Sequence, residues 1–187
     1  MNTKIKTINF VKENIRLLLA GIIALILLND FIVLITLFIL LGFAGVYSLL
    51  ATRMVPHISI ESISASAILL GYIYNWQIAV LFALIFGAYG FIKISRLNLI
   101  SITMILFMCL SGVLGNLFAS LGYDTFWIAF VISFTIRSLL SFPVMQVVNP
   151  NMVKNFTHAV GDWMFNVFVT IHFIRLIYQV LSALNLY

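Results

Sequence analysis

Charged side chains are spread so thinly along this chain that water cannot be the solvent of its folded form. Of its 187 residues, 8% are charged and 64% are hydrophobic, and the mean hydropathy is +1.19. A soluble fold of this composition would expose apolar surface far beyond the roughly few hundred Å2 that soluble monomers tolerate. The expected fold is therefore an all-α polytopic transmembrane helix bundle, because a helix satisfies its own backbone polar groups in lipid. No polar stretch is long enough to form a second domain. The chain divides into a basic amphipathic segment at residues 1–16 and a single transmembrane domain at residues 17–187.

The net charge of +5 does not point to nucleic acid. Lys4, Lys6, Lys12 and Arg16 precede the first apolar run, where they contact lipid headgroups and set orientation. Ile5, Ile8, Val11 and Ile15 share one helical face, so this segment is expected to lie along the membrane interface. The basic start followed by Leu17–Leu28 has the outline of a signal peptide. Asn29 and Asp30 come next with no small-residue cleavage site, and the segment is read as retained. Cys109 is the single cysteine, which excludes an intrachain disulfide and a thiolate metal site.

The apolar runs break at Asn29-Asp30, Thr52–His57, Tyr74–Trp76, Lys93–Asn98, Gly122–Asp124 and Pro143–Phe156. Seven candidate helices result, at residues 15–28, 31–51, 58–73, 76–92, 99–120, 126–142 and 155–184. The first and third fall short of the roughly 20 residues that a crossing needs, so six to seven spans are expected. Arg53, Lys93 with Arg96, and Lys154 sit on alternate connections, whereas the intervening ones carry Asp30, Asn75 and Asp124 and no Lys or Arg. The positive-inside rule then predicts a multi-pass protein of the cell membrane with a cytoplasmic N-terminus and an external C-terminus. Tyr72, Tyr74, Trp76, Tyr123 and Trp127 gather at the non-basic connections, as interfacial aromatics do. Ala83 with Gly87, and Ser111, Gly115 and Ala119, recur at spacings that let helices pack closely in lipid.

Ionisable residues inside a membrane cost roughly 2.5–3.5 kcal/mol each near its centre on insertion scales, so they mark function more often than they do in water. Glu61, Arg137, Asp162, His172 and Arg175 are such residues. Glu61 follows His57, and Asp162 follows His158, each by one helical turn on the same face. With Arg137 approaching the same side, Glu61, Arg137, His158 and Asp162 are expected to meet about one to two turns below one surface. Asn155, His158, Asp162, Asn166 and Val169 or Thr170 extend a polar stripe along the last helix. Three interpretations of this cluster are open. In the first, Arg137 forms a salt bridge to Glu61 or Asp162 and the histidines cap helix ends. In the second, Glu61, Arg137, His158, Asp162 and Asn166 line a substrate or ion cavity. In the third, His57, Glu61, His158 and Asp162 hold a metal such as zinc that activates a hydrolytic water. No Gly-x-Ser-x-Gly, His-Glu-x-x-His or Walker sequence accompanies the third. His172 is expected to be a packing residue and Arg175 to snorkel.

His57-Ile-Ser-Ile-Glu61, then Ile68-Leu-Leu-Gly71-Tyr-Ile-Tyr-Asn-Trp76, then Leu81-Phe-Ala-Leu-Ile-Phe-Gly87-Ala-Tyr-Gly90 form a short helix, a Gly-containing bend and a Gly-rich return. This run, with Gly161-Asp-Trp-Met-Phe-Asn166, resembles small membrane proteins related to the S-components of energy-coupling-factor transporters and to the rod-shape protein MreD. The resemblance covers residues 55–170. It implies a six-helix core at residues 31–184 with one extra N-terminal helix. It also implies either binding of a vitamin or metal ion and docking on a shared energising module, or a role as an assembly partner. Gly42, Ala44, Gly45, Ser48 and Ala51 are compatible with such docking. S-components begin their first core helix inside, whereas the charge pattern makes helix 31–51 begin outside.

The expected function is a small-molecule transport or substrate-binding membrane subunit. A non-catalytic membrane scaffold or assembly subunit is the alternative, and an intramembrane metal-dependent hydrolase ranks third, so the balance falls against an enzyme. The sequence calls for no cofactor. Its partners are the lipid bilayer and an energising or assembly membrane protein, since no nucleotide-binding sequence is present to drive transport.

Overall fold

The structure, a computed structural model, describes residues 29–54, 60–94, 97–122 and 125–186. The expected helix at residues 15–28, the basic segment before it, His57, Arg96, Tyr123 and Asp124 lie outside the described residues. The rest is helical: α1 (Asn29–Met54), α2 (Ile63–Ile73), α3 (Trp76–Lys93), α4 (Leu99–Ser120), α5 (Phe126–Val148), α6 (Met152–Phe165) and α7 (Ile171–Ala183). A π-helical turn, Asn166–Thr170, joins α6 to α7. Through it they form one helix of 32 residues, Met152–Ala183. Five helices are long and apolar enough to cross a membrane, counting α6 with α7, and α2 is shorter.

The exterior is apolar. Phe31, Leu40, Phe43, Leu106, Leu139, Phe168 and Phe173 are all exposed, as lipid-facing residues are. Trp76 and Trp127 are exposed at the ends of their helices, in keeping with an interfacial belt. Tyr72 is not part of that belt. It packs inward in an aromatic cluster, edge-on to Phe126 and Tyr178, while Tyr178 stacks on Phe126.

The fold is organised around α2. All residues from Ile63 to Gly71 are buried, and α1, α3, α4, α5 and α7 surround them. Glycines permit this. A methyl group on Gly71 would fall on the carbonyl oxygen of Gly112, and one on Gly115 would fall on that of Ile68, so α2 and α4 touch backbone to backbone. A Cβ on Gly112 would lie 2.5 Å from that of Ala79, which seats α3 in the same seam. Gly87, expected as a packing residue, lies against Met108 and Ile105.

The largest departures from the expected helix boundaries are at the end of α5 and the start of α2; the last helix also begins at Met152 rather than 155. The break anticipated at Pro143 does not occur: α5 continues through it to Val148, and the turn falls at Asn149–Asn151. Proline removes one intrahelical hydrogen bond, and membrane helices tolerate it because their neighbours hold the helix in place. The start expected at residue 58 falls instead at Ile63. Before it, Ile60 and Ser62 are unwound, and hydroxyls of α1 satisfy them. Thr52 Oγ1 donates to the Ile60 carbonyl (2.7 Å) and accepts from the Ile60 N–H (2.9 Å), and Ser48 Oγ accepts from the Ser62 N–H (3.0 Å). Non-helical backbone at membrane depth is stable only with such protein partners.

Candidate functional site

With only 11 residues, α2 is about 16 Å long, roughly half a bilayer's hydrocarbon thickness. It ends at the Tyr74–Asn75 turn, so its start, and Glu61 just before it, lie deep in the bundle. Arg137 is about three turns from either end of α5, and Asp162 is about three turns into α6. These three side chains meet. Arg137 is 2% exposed and Glu61 0%. The Arg137 Nη2 lies 3.4 Å from Glu61 Oε2, and Nη1 donates to Asp162 Oδ2. The guanidinium also sits over the Phe134 ring, 4.9 Å from its centroid. The cluster is therefore deeper than the expected one to two turns, because α5 runs past Pro143 and carries Arg137 further from its end.

Each carboxylate has additional donors. Glu61 Oε1 accepts from the Ser64 N–H and Oε2 from Ser64 Oγ, both at 2.7 Å. This places negative charge at the N-terminus of α2, where the helix dipole favours it. Asp162 Oδ1 accepts from Asn166 Nδ2 at 3.0 Å, and the same amide donates to the Asp162 carbonyl. The stripe faces inward as Asn155, Asp162, Asn166 and Thr170, all buried, whereas Val169 is exposed. An ideal α-helix drifts about 40° for every four residues. The wider π turn takes up that drift, so one line of polar groups stays on the interior face.

A cavity of about 390 Å3 reaches this cluster from the side of the membrane where α3, α4, α5 and α6 have their Ile94, Asn98, Asn149 and Lys154 ends. Asn155, His158, Arg137 and Asp162 line it, together with Ser101 and Ser141. Two of the expected lining residues do not: Glu61 and Asn166 are fully buried beyond its floor. His172 and Arg175 lie on the exposed face of α7 and take no part. Among the described residues no three of His, Cys, Asp and Glu converge on a possible metal position. The Arg137 guanidinium occupies the space between Glu61 and Asp162 that a metal cation would need.

Several contributors escaped the sequence reading. Ser64, which holds both oxygens of Glu61, is an unremarkable residue of an apolar run. Thr135 accepts from Trp163 Nε1 at 2.9 Å and fixes α6 against α5 just beside Asp162. Asn98 and Ser101 at the cavity form a reciprocal capping box, and their three-residue spacing ahead of an apolar run was a usable signal. Compared with known protein families, curated proteins and solved structures, the chain matches none.

Proposed function

We propose that this protein is a solute-binding membrane subunit that admits a small polar or amphipathic molecule to the cavity between α4, α5 and α6. The observation that carries this reading is a cavity of about 390 Å3 whose floor is a buried ion pair, Arg137 with Asp162. That volume falls within the roughly 300–1,000 Å3 of small-molecule sites. Leu49, Phe91, Ile100, Met104 and Phe142 supply apolar wall, and Ser141 and His158 carry polar groups between the floor and the mouth. This division suits a solute with one apolar body and one hydrogen-bonding end. The likeness to S-components fits the same role, with six to seven spans in the cell membrane and the N-terminus in the cytoplasm. Transport would then need an energising partner. That partner would not use the glycines of α1, because a Cβ on Gly42 meets Phe86 and one on Gly45 meets Ile63, while Ser48 bonds to Ser62. The assembly-subunit alternative draws on Glu61 and Asn166, which are fully buried and do not line the cavity.

Two labelling experiments test this reading. In a Cys109→Ala background, Ser141→Cys should react with a small water-soluble thiol reagent, and a bound solute should protect it. An inert Cys at this position would mean the cavity is closed to water and would favour the assembly role. Orientation is tested separately. Ser95→Cys should be labelled from the cytoplasmic side and Ser120→Cys, exposed at the opposite end of α4, from the outside. The reverse pattern would overturn the assigned direction.

A further inference from the structure

We propose that Asp162 is an exchangeable proton site, loaded through the cavity by way of His158. The inference rests on the cavity assigned above and adds the ion it would handle. Glu61, Arg137 and Asp162 form a buried cluster with two carboxylates and one guanidinium, so in the fully ionised state it carries one excess negative charge. Low-dielectric surroundings make an uncompensated charge expensive, and the smallest compensating ion is a proton.

Geometry selects Asp162 over Glu61. Glu61 is sealed beyond the floor and has three donors aimed at its two oxygens, from the Ser64 N–H, Ser64 Oγ and Arg137. Asp162 lines the cavity, and so does His158, one turn nearer the mouth on the same helix. From α5, the element packed against this stretch of α6, Arg137 is the single charged residue facing Asp162. On its own helix, beyond His158, the next titratable group toward the mouth is Lys154.

A second observation points to the same place. Asn166 is 0% exposed, and its Oδ1 has no hydrogen-bond partner while its Nδ2 donates to Asp162. A rotation of this amide that gives up its bond to the Asp162 carbonyl, which still accepts from the Asn166 main-chain N–H, presents Oδ1 to the Asp162 carboxyl in place of Nδ2. A proton leaves imidazolium His158, an O–H bond forms at Asp162 Oδ1, and the new hydroxyl donates to Asn166 Oδ1. Neutral His158 then takes a proton from a hydronium ion that enters the cavity, which leaves as water. Arg137 keeps Glu61 as its counter-ion, and the charge of the cluster goes from −1 to 0.

The test is infrared difference spectroscopy of the full chain in lipid discs between acid and alkaline buffer. Glu13, Asp30 and Asp124 are first converted to amides, which leaves Glu61 and Asp162 as the side-chain carboxyls. A carboxylic C=O band should appear on acidification and shift in heavy water. Asp162→Asn should abolish it. Glu61→Gln should retain it but move its midpoint to lower pH, since removing the excess negative charge leaves a balanced Arg137–Asp162 pair. If Asp162→Asn does not fold, Asn166→Leu serves instead, because loss of the acceptor should raise the frequency of the band. Absence of the band, its survival in Asp162→Asn, an unmoved midpoint in Glu61→Gln, or an unchanged frequency in Asn166→Leu would each overturn the proposal. Labelling of Ser141→Cys without a carboxyl band would remove the proton site and keep the cavity. A band without labelling would leave a protonated Asp162 but overturn its loading through the cavity.

Discussion

Arg137→Ala is expected to be among the most damaging single substitutions in this protein, with a loss of about 3–5 kcal/mol. The cost does not come from the attraction that is lost. It comes from two carboxylates, Glu61 and Asp162, left buried with no cation between them. Arg137→Lys should recover only part of the stability. A guanidinium reaches both carboxylates through separate nitrogens and sits over Phe134, whereas an ammonium is a single point of charge. The diagnostic variant is the triple Arg137→Ala, Glu61→Gln, Asp162→Asn, which removes all three charges together. It should melt well above Arg137→Ala, because neutral amides are far cheaper to bury than ions. Thermal unfolding in detergent, followed by loss of the monodisperse peak, provides the measurement. An Arg137→Ala protein that melts with the parent would show that water or headgroups solvate this position.

Gly71→Ala is the second large effect, and it comes with an internal control. The added methyl meets the Gly112 carbonyl and lies 3.2 Å from the Asn116 N, both main-chain atoms of α4. Rotamer changes cannot relieve a clash with backbone, so α2 and α4 must move apart. Overpacking costs about 1–3 kcal/mol where side chains can adjust, and this contact should sit at or above the top of that range. Separation would also disturb Ser64 and Glu61 at the other end of α2, so the damage should reach the ion cluster. Gly161→Ala is the contrast. No atom lies within 4 Å of its added methyl, and α6 is helical there. Alanine is the better helix former by about 0.5–1 kcal/mol, so this variant should match or exceed the parent. Comparable melting of the two alanine variants would mean that the α2–α4 seam is looser than the backbone contact implies.

How much of this was legible in the sequence follows from which forces are local. Transfer from water to lipid is nearly a sum over residues, so the sparse charge of the chain fixed its solvent and its helical class. Helix limits set by caps and turns were also readable: Asn75 and Asn98 each accept from an N–H of the helix they begin, whereas the start after Asn151 was placed at residue 155. The pairing of Arg137 was foreseeable, since a lone guanidinium in lipid needs a counter-charge. The inward stripe on α6 was foreseeable from its spacing, although the choice of Thr170 over Val169 waited on the π turn.

Everything that depends on how helices lie against each other was decided by the tertiary structure. Pro143 stays inside α5 because its neighbours support it, and that extra helix sets the depth of Arg137. Ile60 and Ser62 stay unwound because Thr52 and Ser48 of another helix meet their backbone groups. Arg137 engages both carboxylates rather than one, because α2 starts at the depth where α5 and α6 bring Arg137 and Asp162 together. The division of the polar residues, with Asp162 and His158 open to a cavity and Glu61 and Asn166 sealed beneath it, has no sequence signature. A cavity is the space that several helices fail to fill, and each helix alone carries no record of it.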